Sequence, residues 1–232
     1  GCLVNLYLTL AALVPAVLLF VRIYRLDRVE KEPRPLLARL ILLGVLSALP
    51  AAAIELGAAY LLPQMLARGS AAYLLIENFL VVALAEEGCK LAAVRVAAWE
   101  HPAFDYRFDA IVYCVSAALG FAALENVFYV LQSDLRTAIS RALLSVPGHF
   151  FFAVSMGVFL SRAKQAERGG QPARMRDMAA MSLLVPVVLH GIWDLCLAVG
   201  GMAVWAFYAY VLVFFIAAEY CLRQAARTDG KL

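Results

Sequence analysis

Seven long apolar stretches, separated by short polar segments, dominate the pattern of hydrophobic and polar positions along the chain. A helix needs about 20 mostly apolar residues to cross the hydrocarbon core of a bilayer. Backbone groups find no water partners there, so runs of this kind must be helical. The pattern therefore predicts an all-α, polytopic bundle of about seven membrane spans, at residues 3–22, 37–62, 72–98, 108–132, 139–161, 178–198 and 202–222.

Two of these stretches contain residues that interrupt a plain apolar span. The second carries Pro50 and Glu55, which predicts a kinked or partly interfacial helix, and the sixth carries Pro186. Proline frees a backbone carbonyl and bends a helix. Because no soluble segment and no internal repeat stand out, we expect a single integral membrane domain over residues 1–232, with a motif core at about 72–198.

The composition narrows the class of protein. Hydrophobic residues make up 64% of the chain and charged residues 16%, with a mean hydropathy of +0.82. In a typical soluble domain, roughly 45–50% of the residues are hydrophobic and about 25% are charged. This balance excludes an ordinary soluble enzyme, a nucleic-acid binder with a basic face and a disordered chain. The five cysteines have no paired spacing, and we interpret them as small hydrophobic residues.

The distribution of basic residues predicts the orientation of the bundle. Of the 20 Lys and Arg residues, 16 fall on one side of the predicted spans, and Lys90 lies inside a span. The opposite side holds only Arg68, Arg136 and Arg141. Because basic residues accumulate in cytoplasmic loops, we expect the N-terminus outside and the C-terminus in the cytoplasm.

Ionisable side chains inside the apolar stretches carry the candidate chemistry, since a charge at mid-membrane costs about 2.5–3.5 kcal/mol on insertion scales. In the third stretch, Lys90 follows Glu86 and Glu87 at spacings of four and three residues and can reach either carboxylate. One carboxylate is then neutralised, and we expect the other to be left over, about 100° around the helix. Two carboxylates in different environments can divide the roles of acid and base.

The next three stretches carry further groups of this kind. Glu125 lies between Phe121 and Tyr129 on one helical stripe, and His190 and Asp194 are four residues apart on one face. A carboxylate beside an imidazole fixes its tautomer and raises its basicity. We expect a shared polar cavity among spans three to six, with these candidate catalytic residues: Glu86, Glu87, Glu125, His149, His190 and Asp194. The supporting candidates are Lys90, Phe121, Asn126, Tyr129 and Trp193.

These motifs resemble those of the PrsW family of bacterial membrane proteases. The resemblance covers about residues 22–200 and rests on Glu86-Glu87-x-x-Lys90, Phe121-x-x-x-Glu125-x-x-x-Tyr129, His149 after Pro147, His190-x-x-x-Asp194 and the loop Asp27…Glu32-Pro33. It implies a multi-pass protease of the bacterial cytoplasmic membrane that cleaves a membrane-associated protein. An anti-sigma factor cut outside the cytoplasm is one such substrate. The PrsW family is similar in turn to the CAAX-type and bacteriocin-processing proteases.

The same resemblance implies roles for individual residues. Glu86 or Glu87 would be the general base, with His149 as its partner, and His190 and Asp194 would stabilise the tetrahedral intermediate. Glu125 is a motif residue without an assigned role. Lys90 stands closer to the carboxylates than the arginine of the CAAX-type enzymes, and Glu125 stands where those enzymes have a histidine.

A metal is the main open question of the mechanism. Glu86, His149 and His190 would offer zinc three ligands and an open position for water. The H-E-x-x-H pattern of many zinc proteases is absent. The resemblance favours a metal-free glutamate mechanism with zinc as the alternative, and the residues themselves do not decide because carboxylates serve both.

Other functions remain open at this point. Each polar group alone is also explained by helix packing, so the chain can be a non-catalytic membrane scaffold or sensor. It can also be a CAAX-prenyl-type protease with a different substrate. Intramembrane Glu, His and Asp are also found in proton-coupled transporters, which usually show repeats or paired broken helices. The expected partners are the lipid bilayer and a membrane protein substrate, with no nucleic acid.

Overall fold

A computed structural model describes residues 2–132 and 139–232, and within these ranges the chain is helical with short connections. We number the helices α1 (Cys2–Leu26), α2 (Arg34–Met65), α3 (Ala71–Leu75, Ile76–Ala83 and Leu84–Ala98), α4 (Asp109–Gln132), α5 (Arg141–Ser145 and Val146–Arg168), α6 (Pro172–Val199) and α7 (Ala203–Arg227). Each predicted stretch falls on one of them, which confirms the all-α prediction. The Arg136 used in the orientation argument lies outside the described residues.

Within residues 2–132 and 139–232, five helices are long and apolar enough to cross a membrane by length and composition. They are α2, α4 over Asp109–Leu131, α5 over Leu143–Arg168, α6 and α7. For α1 and α3, the crossing stays a prediction. Helix α2 continues through Pro50 and Pro63, and α6 continues through Pro186. The α6–α7 connection uses Gly200 and Gly201, whose positive φ angles of 65° and 55° suit a residue without Cβ.

Two π-helical segments are the irregular part of this architecture. Ile76–Ala83 lies within α3, just before the Glu86 pair, and Arg141–Ser145 opens α5, just before His149. A π-helical segment changes the direction in which the following side chains point and is frequent at functional sites. In this chain, both segments lead directly into candidate catalytic residues.

Helix α4 lies at the centre of the bundle and packs against α1, α2 and α5. Close contact with α2 depends on small residues: a Cβ on Gly44 would lie 2.0 Å from the Ala117 carbonyl oxygen. On the other side of the same crossing, a Cβ on Gly120 would lie 2.2 Å from the Ile41 carbonyl oxygen. Small residues allow such approach between membrane helices.

We expect Gly44→Ala to destabilise the fold by about 1–3 kcal/mol, because backbone atoms of α4 have to move to admit the methyl group. The matched control is Gly57→Ala in the same helix, where an added Cβ meets nothing within 4 Å. Thermal unfolding in detergent is the measurement. Equal melting temperatures for the two variants would contradict the close α2–α4 contact.

The α1–α2 loop holds two buried carboxyl groups of the predicted loop motif. Asp27 and Glu32 are 1% and 4% exposed, and the Tyr113 hydroxyl donates to Glu32. Burial raises the pKa of Asp27 to about 6 and the pKa of Glu32 to about 7. The loop motif therefore joins α1 and α2 to the start of α4, away from the other motif residues.

This loop predicts a pH dependence of stability. The pKa values of Asp27 and Glu32 are higher in the folded protein than their ordinary values of 3.8 and 4.5. Both carboxyl groups therefore stabilise the fold fully at a pH below those ordinary values. This stability is lost as the pH rises toward 6 and 7, where the groups ionise in the folded protein. We expect the melting temperature to fall over that window and Glu32→Gln to flatten the fall. The exposed neighbour Glu30→Gln is the control, and an unchanged profile for Glu32→Gln would contradict the assignment.

Candidate active site

An open cavity of about 530 Å³ lies between the helices, in the half of the bundle where α2, α4 and α6 end and where α3, α5 and α7 begin. We call this half of the bundle the cavity end. The opposite half carries Arg22, Arg25, Arg168 and Arg223, and we call it the basic end. The polar residues lining the cavity are Glu55, Glu77, Asn78, Glu86, Glu125, Tyr129, Ser140, Arg141, Ser145, His149, His190, Trp193, Asp194 and Tyr208.

The centre of the polar cluster is the ammonium group of Lys90, which is 1% exposed. It donates to Glu86 Oε2 at 3.0 Å and to Glu87 Oε1 at 2.8 Å. The expectation that one carboxylate would be left over is therefore wrong. The lysine side chain is long enough for its ammonium group to lie between the carboxylates of Glu86 and Glu87, which are four and three residues before it on the helix.

The two carboxylates nevertheless differ in their surroundings. Glu86 lines the cavity, whereas Glu87 is completely buried and does not line it. Glu87 Oε1 also lies 2.9 Å from His190 Nδ1. The third helix thus presents one carboxylate to the cavity and keeps the second behind it, between Lys90 and His190.

His149 is held on both ring nitrogens. Its Nδ1 lies 3.0 Å from Lys90 Nζ, and its Nε2 lies 2.8 Å from Glu125 Oε2. An ammonium group only donates, so Nδ1 must accept from Lys90 and Nε2–H must donate to Glu125. These contacts fix one neutral tautomer, and Glu125 is the group that orients it.

His190 lies between two carboxylates and is hydrogen-bonded to one of them. Its Nδ1–H donates to Glu87, and its Nε2 lies 3.2 Å from Asp194 Oδ2. The imidazole stacks on the Phe152 ring with centroids 4.9 Å apart. The next residue, Gly191, allows α6 to approach α3, because a Cβ there would lie 2.3 Å from the Phe79 ring.

Arg141 is a cavity residue that the sequence reasoning missed. Its guanidinium lies 2.9 Å from Glu125 Oε2 and 3.8 Å from the centroid of the Tyr129 ring. We had counted Arg141 only as a charge on one side of the membrane. Its position inside the fifth apolar stretch is the signal that would have identified it.

Glu55 and Glu77 also line the cavity without having been predicted there. Glu77 accepts from the Tyr73 hydroxyl at 2.9 Å. Glu55 was interpreted only as an interruption of the second apolar stretch, and a carboxylate within an apolar run is again the signal that identifies it. Five carboxylates therefore line the cavity: Glu55, Glu77, Glu86, Glu125 and Asp194.

The supporting candidates divide into two groups. Phe121 lies against the cluster, with Lys90 Nζ 4.1 Å from its ring centroid, and Trp193 packs against Gly148 and lines the cavity. Asn126 does not join them. It is buried and donates to the Ala12 carbonyl oxygen at 2.8 Å, so it connects α4 to α1 and has a packing role.

The cluster contains donor groups that suit a metal ion, but the ammonium group of Lys90 lies among them. Ligand atoms of Glu86, Glu87 and His149 lie within 4.8 Å of one another, and carboxylate and imidazole suit zinc. Lys90 Nζ, however, is within hydrogen-bond distance of all three. The alternative set with His190 is less favourable, because among the described residues only Glu86, Glu87 and His149 bring their ligand atoms this close together. The described arrangement does not accept a metal unless Lys90 moves.

The family comparison agrees with the motifs at this site. The family profile described as "PrsW family intramembrane metalloprotease" matches residues 32–219. This chain belongs to the PrsW family. "Protease PrsW" of Geobacillus kaustophilus is 36% identical over 217 residues, which cover 93% of this chain and 90% of that protein.

Further PrsW relatives show similar coverage. "Protease PrsW" of Halalkalibacterium halodurans is 32% identical over 184 residues, covering 79% and 80% of the two chains. "Protease PrsW" of Bacillus subtilis is 31% identical over 206 residues, covering 89% and 88%. No solved structure matches the chain. Membership of the PrsW family and the apolar helices make this protein a multi-pass, membrane-embedded peptidase.

Proposed function

We propose that this PrsW protein hydrolyses a peptide bond of a membrane-associated protein with water activated by Glu86, without a metal. The observation that supports this most directly is the Lys90-centred cluster at the wall of an open cavity. A desolvated carboxylate on the cavity side meets the need for a base, and a general base contributes typically 10²–10⁴-fold.

In the proposed reaction, Glu86 accepts a proton from a water molecule as the water oxygen attacks the carbonyl carbon of the scissile bond. The same proton then passes to the leaving amine nitrogen as the carbon–nitrogen bond breaks. Lys90 holds the Glu86 carboxylate, and the neutral His149 holds Lys90 from the other side. Glu87 positions Lys90 and His190 from behind.

The developing oxyanion needs hydrogen-bond donors, and His190 is our first candidate. Its Nδ1 is bound to Glu87, which leaves Nε2 beside Asp194 as the nitrogen that can meet a substrate. Arg141 is a second cationic donor in the cavity, held by Glu125. An oxyanion donor contributes about 10²–10³-fold in known enzymes.

The position of the cavity supports cleavage on the side of the membrane opposite the basic end. Most of its lining residues come from the cavity end of their helices. Basic loops are cytoplasmic as a rule, so we assign the cavity end to the outside, with seven spans and the N-terminus outside. An anti-sigma factor cut outside the cytoplasmic membrane of a bacterium is a substrate of the kind that this geometry suits.

Two broader assignments belong to the same proposal. We assign residues 1–232 to one integral membrane domain with its motif core at about 72–198, because the cavity draws side chains from six of the helices. We also propose kinship with the CAAX-type membrane proteases, on the ordered motifs described above.

The test is cleavage by the purified protein in liposomes, with a single-pass substrate tagged differently on its two ends. We expect fragments cut on the cavity side, and a loss of rate of at least about 100-fold for His190→Ala. A non-catalytic scaffold predicts another result. The unaltered protein would then show no turnover on any peptide, and alanine variants of the cluster would only lower the melting temperature.

A further inference from the structure

A second cavity of about 330 Å³ lies at the basic end, between the start of α4, the end of α5 and the end of α7. It is separate from the active-site cavity and shares no lining residue with it. Its polar lining consists of Arg107, Ser161, Arg162, Gln165, Tyr220, Gln224 and Thr228.

The charge of this cavity is uniformly positive. Among the described residues that line it, two carry guanidinium groups and none carries a carboxylate. No carboxylate in the described ranges lies within ion-pair distance of Arg107 or Arg162, although the chain forms ion pairs elsewhere. With its amide oxygen turned toward Arg107, Gln165 accepts from Nε and Nη2 at 3.1 and 3.2 Å and orients that guanidinium.

An exposed apolar stripe leads into the same cavity. Leu212, Ile216 and Tyr220 follow one another at four-residue spacing along α7 and are 63%, 62% and 69% exposed. Tyr220 lines the cavity, and the other two lie progressively deeper in the span. A ligand with an anionic head and apolar chains matches this combination of a basic cavity and an apolar stripe.

We infer that this cavity binds the phosphate of an anionic phospholipid, with the acyl chains lying along the α7 stripe. Arg107, just before α4, and Arg162 of α5 would contact the phosphate, and the hydroxyl and amide groups of the lining would bind the remaining headgroup oxygens. Basic cavities between membrane helices at the cytoplasmic surface bind such headgroups. The lipid would join α4, α5 and α7 at the end opposite to catalysis.

The experiment compares lipid retention by native mass spectrometry and by exchange in nanodiscs of phosphatidylglycerol or phosphatidylcholine. We expect the unaltered protein to prefer phosphatidylglycerol on the order of tenfold and the Arg107→Gln/Arg162→Gln variant to lose that preference. The matched control is Arg174→Gln/Arg176→Gln, which removes two charges at the same end outside the cavity and should keep the preference.

Two results would overturn the inference. One is an equal loss of preference in both double variants, which would indicate general surface charge. The other is displacement of the lipid by millimolar inorganic phosphate, which would indicate a site for free phosphate. Both arginines are exposed, so the variants should fold, and a melting curve checks this. Lipid binding does not depend on cleavage, so failure here is distinguishable from failure of the proposed protease mechanism.

Discussion

Glu86→Gln is expected to lower kcat for peptide cleavage by about 10²–10⁴-fold, with a smaller fall in melting temperature than Glu87→Gln causes. The amide oxygen of glutamine can still accept from Lys90, so the packing around the ammonium is kept, but it cannot take a proton from water. The effect belongs to kcat because the base acts on the reacting water and not on substrate binding. Single-turnover cleavage in liposomes is the measurement.

The Glu87→Gln variant distinguishes the proposed base, Glu86, from the neighbouring buried carboxylate, Glu87. Glu87 is completely buried, so its loss leaves Lys90 and His190 short of a buried negative charge. Breaking a buried ion pair costs about 3–5 kcal/mol, and we expect a large drop in melting temperature with this variant. The matched control on the cavity wall is Glu77→Gln, which should keep kcat. A Glu86→Gln protein with normal kcat would contradict the assigned base.

The sequence predicted the helices well because membrane spans follow from local composition alone. Apolar length and charge decide whether a segment enters the bilayer, and neither depends on distant residues. That Glu86, His149 and His190 would lie near one another was expected because charged and polar groups are costly on apolar helices unless they meet partners, and their catalytic role stays a prediction. The contacts that the sequence did not predict depend on how the helices pack against one another, and no local sequence pattern encodes that packing.

Lys90 and Asn126 illustrate this limit. Spacing showed that Lys90 reaches either carboxylate, but only the structure shows that it reaches both and His149 as well. Asn126 follows Glu125 directly, and a helix turns about 100° per residue, so the two side chains point to different neighbours. Glu125 meets His149, whereas Asn126 meets α1. The π-helical segments Ile76–Ala83 and Arg141–Ser145, which precede Lys90 and His149 on their helices, have no recognised sequence signal here.

Lys90 is the residue that tests the proposed metal-free mechanism, since its ammonium is within hydrogen-bond distance of Glu86, Glu87 and His149, the donors that a metal would need. We expect Lys90→Met to abolish cleavage and to destabilise the fold by about 3–5 kcal/mol, because two buried carboxylates lose their positive partner. We also expect the unaltered protein to keep its activity after dialysis against a chelator. Added zinc should raise the melting temperature of Lys90→Met, whose three donors are then free, without restoring cleavage.

The matched control for this variant is Lys164→Met. Lys164 is also buried, and it donates to the Trp99 carbonyl oxygen and to Glu167, far from the cavity. Its loss should lower the melting temperature but leave kcat per folded molecule unchanged. Copurification of one zinc per unaltered chain, with activity lost to a chelator and regained with zinc, would contradict the metal-free proposal. Lys90 would then have to swing out of the cluster, and the donors Glu86, Glu87 and His149 would be the ligands to test next.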